Sequence, residues 1–160
     1  MSQQQTKLQQ LCQYLATSLA PAVKANDIDA WQERGQLIIS GEDLGLGSYL
    51  IGKWKYTAVI AIERLPHRRI DPYNLLAMVA AWLIEHNPER DTYGLADPDF
   101  DIDPISKDNT TVLIDVELID DIELAQDELG PILFMGNRYR VAVAETNIAE
   151  SVDIRNKGAA

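Results

Sequence analysis

The chain predicts an α+β fold in two layers: a mainly antiparallel sheet of about four to six strands packed with two main helices. Three observations predict it. Apolar residues recur at three- and four-residue intervals in two separate segments, 2–20 and 72–86. They alternate with polar residues at a period of two in several others. The elements run helix, strands, helix, strands, an order that segregates helices from antiparallel strands. With 160 residues, 46% hydrophobic and 24% charged, the chain is expected to form one domain over 1–146. A mobile tail of low apolar content is expected at 147–160.

The first helix places Leu8, Leu11, Cys12, Leu15 and Leu19 on one stripe, with Ser2 as its expected cap and Pro21 as its stop. Residues 28–40 read as a short hairpin or two broken strands, turning at Arg34-Gly35-Gln36 and returning through Leu37-Ile38-Ile39. Three glycines in 41–47 predict a flexible loop. The clearest strand is 54–64. Trp54, Tyr56, Ala58, Ile60 and Ile62 share one face, and Lys53, Lys55, Thr57, Val59, Ala61 and Glu63 share the other, which reads as partly covered.

A loop over 65–70 carries His67, Arg68 and Arg69, the most basic spot of the chain. Asp71-Pro72 opens the second helix, because Asp caps well and Pro costs nothing at the first helical position. Leu75, Leu76, Val79, Trp82 and Leu83 form its stripe, which Met78, Ala80 and Ala81 widen. A helix this apolar is expected to be buried on most sides. His86 suits its C-terminal dipole, and Asn87-Pro88 stops it. A polar loop follows over 89–99.

Phe100 and Ile102 then alternate with Asp99, Asp101 and Asp103, and Pro104 places this short strand at an edge. Lys107-Asp108-Asn109 is a turn. Val112, Ile114, Val116 and Leu118 form one face of a second strong strand over 110–118, completing a hairpin. Asp120-Asp121 and 127–131 read as acidic turns. A short apolar run at 132–135, a turn at Gly136-Asn137 and a last strand over 139–144 follow.

Little in the chain resembles a reaction centre. Counting an EF-hand loop from Asp97 puts Ile102 where glycine is needed and Asp108 where glutamate is needed, so the calcium pattern fails. Alternating Asp suits the solvated face of an edge strand. His67 and His86 belong to different elements, no His-x-x-x-His or Cys-His cluster exists, and Cys12 is alone. Cys12 reads as a small core residue. The 41–47 glycines lack the Lys-Ser/Thr of a phosphate loop, and no Gly-x-Ser-x-Gly appears. No catalytic residue, cofactor or metal is expected.

The net charge is −11, and the pI is about 4.5. That surface argues against direct base readout of nucleic acid and against docking on an anionic membrane. There is no apolar h-region at the start and no run of about 18 apolar residues. The work left to such a chain is protein–protein binding. Candidate contacts are Trp31 and Trp54, Gly45 and Gly47, His67, Arg68 and Arg69, Asp99, Asp101 and Asp103, and Asp120 and Asp121. Trp31 and Trp54 read equally well as interface anchors or as core. The basic triplet is either a solvated loop or a contact with an acidic stretch of a neighbouring copy.

The second helix, DPYNLLAMVAAWLIEHNP over 71–88, resembles the tail completion proteins of contractile-tailed temperate phages, the GpR type. Their helix has a similar apolar pattern ending in Asn-Pro. It follows a strand like 56–63 and precedes an aspartate-rich loop and a strand like 111–118. Detailed similarity runs over 54–120. The resemblance implies a structural, non-enzymatic, terminator-like virion protein at the head-proximal end of the tail. It implies a hexameric ring that ends tube and sheath growth and prepares the tail for joining to the head. Implied partners are further copies, tail tube and sheath proteins, and head–tail connector proteins. Alternatives are another tail, baseplate or connector protein, a small metal-dependent hydrolase, and a monomeric binding module.

Overall fold

The computed structural model describes residues 5–142, and within them two helices lie against one face of a six-stranded, wholly antiparallel sheet. Helix α1 spans Lys7–Leu19. Thr6 caps it: its hydroxyl accepts from the Gln9 N–H at 3.1 Å while the Gln9 side chain accepts from the Thr6 N–H at 2.9 Å, a reciprocal capping box. The cap is therefore Thr6, not the expected Ser2, because Thr6 and Gln9 together supply the reciprocal box; Ser2 itself lies outside the described residues. Helix α2 spans Pro72–His86, with the Asp71 carboxylate accepting from Tyr73 N–H and Pro72 in its first turn, as the sequence implies.

The strands are β1 (Ile28–Gly45), β2 (Ser48–Leu65), β3 (Asp99–Pro104), β4 (Thr110–Gln126), β5 (Ile132–Phe134) and β6 (Asn137–Val141). The order is β1-β2-β4-β6-β5, and β3 pairs with β4 upstream of β6. Two open edges result: β1 on one side, and β3 with β5 on the other.

Three expectations need correction, all in the same direction. Residues 28–40 are not a hairpin. Arg34-Gly35-Gln36 continues one strand paired to β2, with Glu33 taken up as a bulge between Gln32 and Arg34. Gly35 is there for closeness, not for turning: a Cβ on it would stand 2.4 Å from the Lys55 carbonyl oxygen. The 41–47 loop is mostly strand too, and only Leu46-Gly47 turns, with φ of 55° and 78°. Positive φ at both central residues is the type I′ signature, whose twist matches a two-residue hairpin. Asp120-Asp121, read as a turn, sits inside the 17-residue β4. The last strand ends at Val141; residues 143–144 and the expected tail at 147–160 lie outside the described residues.

The core holds Leu8, Leu11, Leu15 and Leu19 of α1 and Leu75, Val79, Trp82 and Leu83 of α2. These pack on Tyr56, Ala58, Ile60 and Ile62 of β2 and on Val112, Ile114, Val116 and Leu118 of β4. Both strand faces are those the alternation predicts. Helix α2 is less enclosed than its composition implies. Tyr73 and Ile84 are each 76% exposed, and Ala77, Ala80 and Ala81 between them face outward as well.

Candidate functional site

The helices cover only part of the sheet, and the rest builds three surfaces: a distal tip, an acidic edge and a tethered basic loop. The distal tip is the end of the sheet where β1 turns into β2. Its partner turn, Met135-Gly136 between β5 and β6, repeats the X-Gly geometry with φ of 51° and 82°. The two turns belong to one end: Tyr49 meets Phe134 with ring centroids 5.1 Å apart and Tyr139 at 5.9 Å. Leu44, Leu46, Leu129, Leu133 and Met135 are all exposed there, Leu46 completely. Leu and Met are poor choices for a left-handed turn position that Asn, Asp or Gly fills without strain. Gly45 and Gly47 supply the backbone of the first turn and present Leu46 between them.

Cross-strand register assembles the face turned away from the helices. One row reads Trp31, Val59, Asp115, Asp99; the next includes Ala61, Leu113 and Asp101. Asp103 stands opposite Thr111. Asp99, Asp101 and Asp103 therefore lie together on the exposed edge strand β3. Asp99 directly faces Asp115, a like-charge pair that costs stability. Trp31 is half-buried at the other side of this face, its indole N–H 3.4 Å from Glu33 Oε2.

The basic triplet is largely spent on its own chain. His67 Nε2–H donates to the Lys107 carbonyl at 2.9 Å, and the Thr110 hydroxyl donates to Nδ1 at 2.6 Å. The carbonyl can only accept, so the proton sits on Nε2. Arg68 reaches Asp108 at 3.4 Å across exposed surface, and Arg69 stays exposed. The triplet thus ties the loop before α2 to the β3–β4 turn.

Trp54 and Asp120 share one row on the helix-covered face. Trp54 stacks on Tyr56, packs against the core and donates to Gln32 Oε1 at 2.9 Å. Asp120 is buried and is not a surface acid. It accepts from the Lys7 N–H at 2.8 Å and from the Tyr56 hydroxyl, which in turn accepts from Leu8 N–H at 3.3 Å. Two donors of the α1 N-terminus are satisfied in this way. Burial raises the Asp120 carboxyl above the usual carboxylate range, although these hydrogen bonds oppose the rise. Burial, then Asp120, holds the Tyr56 phenol well above its ordinary value. Asp121 points the other way and pairs with Lys53, its direct cross-strand neighbour, which also reaches Glu89 at 3.9 Å and Tyr93. The loop after α2 is fastened over this spot as well, with Arg90 donating to the Glu117 carbonyl at 2.6 Å and Ala96 N–H to the Glu117 carboxylate at 2.9 Å.

Sequence reasoning missed Arg34 and Lys55. On the face away from the helices, Arg34 stands opposite Thr57 and Lys55 opposite Gln36. The turn assigned to Arg34-Gly35-Gln36 hid them. It also missed Leu46 and Met135, although X-Gly between alternating strands is a hairpin signal. Among the described residues, no group of three or more His, Cys, Asp or Glu side chains is placed to hold a metal ion, and no helix is long and apolar enough to cross a membrane.

Comparison with known proteins agrees with the resemblance carried by the second helix. A family model of the P2 phage tail completion protein R (GpR) matches residues 5–143. An uncharacterized 19.2 kDa protein from the rep-hol intergenic region of Haemophilus phage HP1 (strain HP1c1) is 27% identical over 146 residues, covering 91% of this chain and 87% of that protein. No solved structure matches.

Proposed function

We propose, since the chain belongs to the P2 phage tail completion protein R (GpR) family, that it performs its tail completion role as a ring of copies capping the head-proximal end of the tail. Membership supplies the role in phage tail completion; the ring, its place and its means of contact are proposed. The carrying observation is the family match along nearly the whole described fold. The surfaces agree with it. A sheet with two different open edges suits head-to-tail contact between copies, because a heterologous interface closes when the rotation fits. The distal tip keeps five large apolar side chains in water, two of them at strained turn positions, which is costly unless a partner covers them. In this reading the tip seats on tail tube or sheath, and the opposite end is left for the head–tail connector. The chain acts by shape and charge, without turnover.

Complementation tests this. Tails assembled without the chain fail to join heads; adding the purified chain restores joining. Tails that join heads equally well with and without it contradict the proposal.

A further inference from the structure

We propose that the groove at Arg34 and Lys55 receives the β3 aspartates of a second copy of this chain. The inference rests on the ring reading above and identifies the contact that would build it. The groove lies on the face away from the helices, has a volume of about 200 Å³ and is lined by Arg34, Gln36, Lys55, Thr57 and Glu117.

Its two cations, Arg34 and Lys55, line the same groove and make no ion pair among the described residues. The groove's own carboxylate, Glu117, is engaged by the Ala96 N–H, so two cations against one acid leave room there for a further carboxylate in a chain of net charge −11. The opposite edge of the sheet supplies it. Asp99, Asp101 and Asp103 lie on β3 and make no ion pair among the described residues, and Asp99 directly faces Asp115 across the ladder.

The geometry selects a head-to-tail contact. Arg34 is on one edge strand, the aspartates are on the strand at the other edge, and both sets face the same side. A neighbour set alongside in the same orientation brings its β3 edge to the β1 edge. A two-fold contact between β1 edges would instead oppose Arg34 with Arg34. Trp31 lies in the row nearest the groove that shares its face, and the arriving strand would bury it, as suits an interface anchor. An open chain of copies leaves one groove unfilled at one end and one aspartate strand unfilled at the other until the ring closes.

A charge swap on the full chain tests this, read as the association constant from light scattering across a concentration series, with circular dichroism confirming the fold. Both positions to be changed are on the surface, so folding is retained. R34E alone and D101R alone each weaken association by about tenfold or more, and the double variant R34E/D101R returns it to within about threefold of the parent. Association unchanged in both single variants, or not restored in the double variant, overturns the groove while leaving the ring standing. A parent chain that stays a single subunit at every concentration and on tails overturns the ring reading itself. Single variants that self-associate normally yet no longer bind tails assign the groove to a different protein, which also overturns this proposal. As a second reading of the same contact, R34C/D101C forms disulfide-linked multimers under oxidation, whereas either cysteine alone does not; the native Cys12 is buried and stays out of the reaction.

Discussion

At the scale of single residues, burial decides which polar groups are structural. Cys12 is buried, and burial pushes its thiol up to about 12. It should therefore be inert: a thiol reagent such as DTNB reacts only at the rate of unfolding, and fast labelling of the native chain would contradict this placement. Asp120 makes a sharper prediction. Asp120→Ala strands the Lys7 N–H and the Tyr56 hydroxyl and should cost about 1–3 kcal/mol in urea unfolding. Asp120→Asn keeps an acceptor and should cost less. Because the folded carboxyl titrates above its unfolded value, its stabilising contribution is complete below the unfolded pKa and is lost as pH rises through the folded one. The parent chain should accordingly lose stability relative to Asp120→Asn as pH rises through that acidic window. A difference constant with pH would contradict it. The sequence disclosed the core leucines and Cys12 through their helical spacing. It did not disclose the role of Asp120, because that role depends on a helix start 113 residues away along the chain.

At the scale of elements, both helices and the hairpin of β3 and β4 were legible, because caps, proline and alternation are local signals. The length of β1, β2 and β4 was not. Each carries Gly or paired Asp where a local reading puts a turn, and only the neighbouring strand shows that the chain runs straight through. Gly35 tests that explanation. Gly35→Ala should cost about 1–3 kcal/mol through overpacking against the Lys55 backbone, measured by thermal or urea unfolding. A neutral change would mean the β1–β2 register is not as described. The turn at Leu46 tests the tip. Leu46→Asn should stabilise the chain by about 0.5–2 kcal/mol, since Asn tolerates positive φ, while reducing tail completion. Gain of stability with full activity would remove the tip from the contact surface.

At the scale of the whole molecule, charge and shape together set the conditions for the proposed ring. Its net charge of −11 keeps copies apart except where opposite charges or apolar groups meet. Assembly through Arg34, Lys55 and the β3 aspartates should weaken as salt rises, because exposed ion pairs are screened over about 10 Å at 0.1 M. Stronger self-association in salt would point to the apolar faces of α2 and the distal tip instead. Of the candidate contacts, those on exposed strand edges were legible from alternation alone. The groove required strand order, which places two distant segments on one face.

The most direct measurement is electron cryomicroscopy of tails completed with this chain, compared with tails lacking it. Extra density is expected at the head-proximal end alone, forming a closed ring of several copies that touches the tube through the Leu46 and Met135 turns. Density at the baseplate end, along the tube, or as one isolated copy would contradict this expectation.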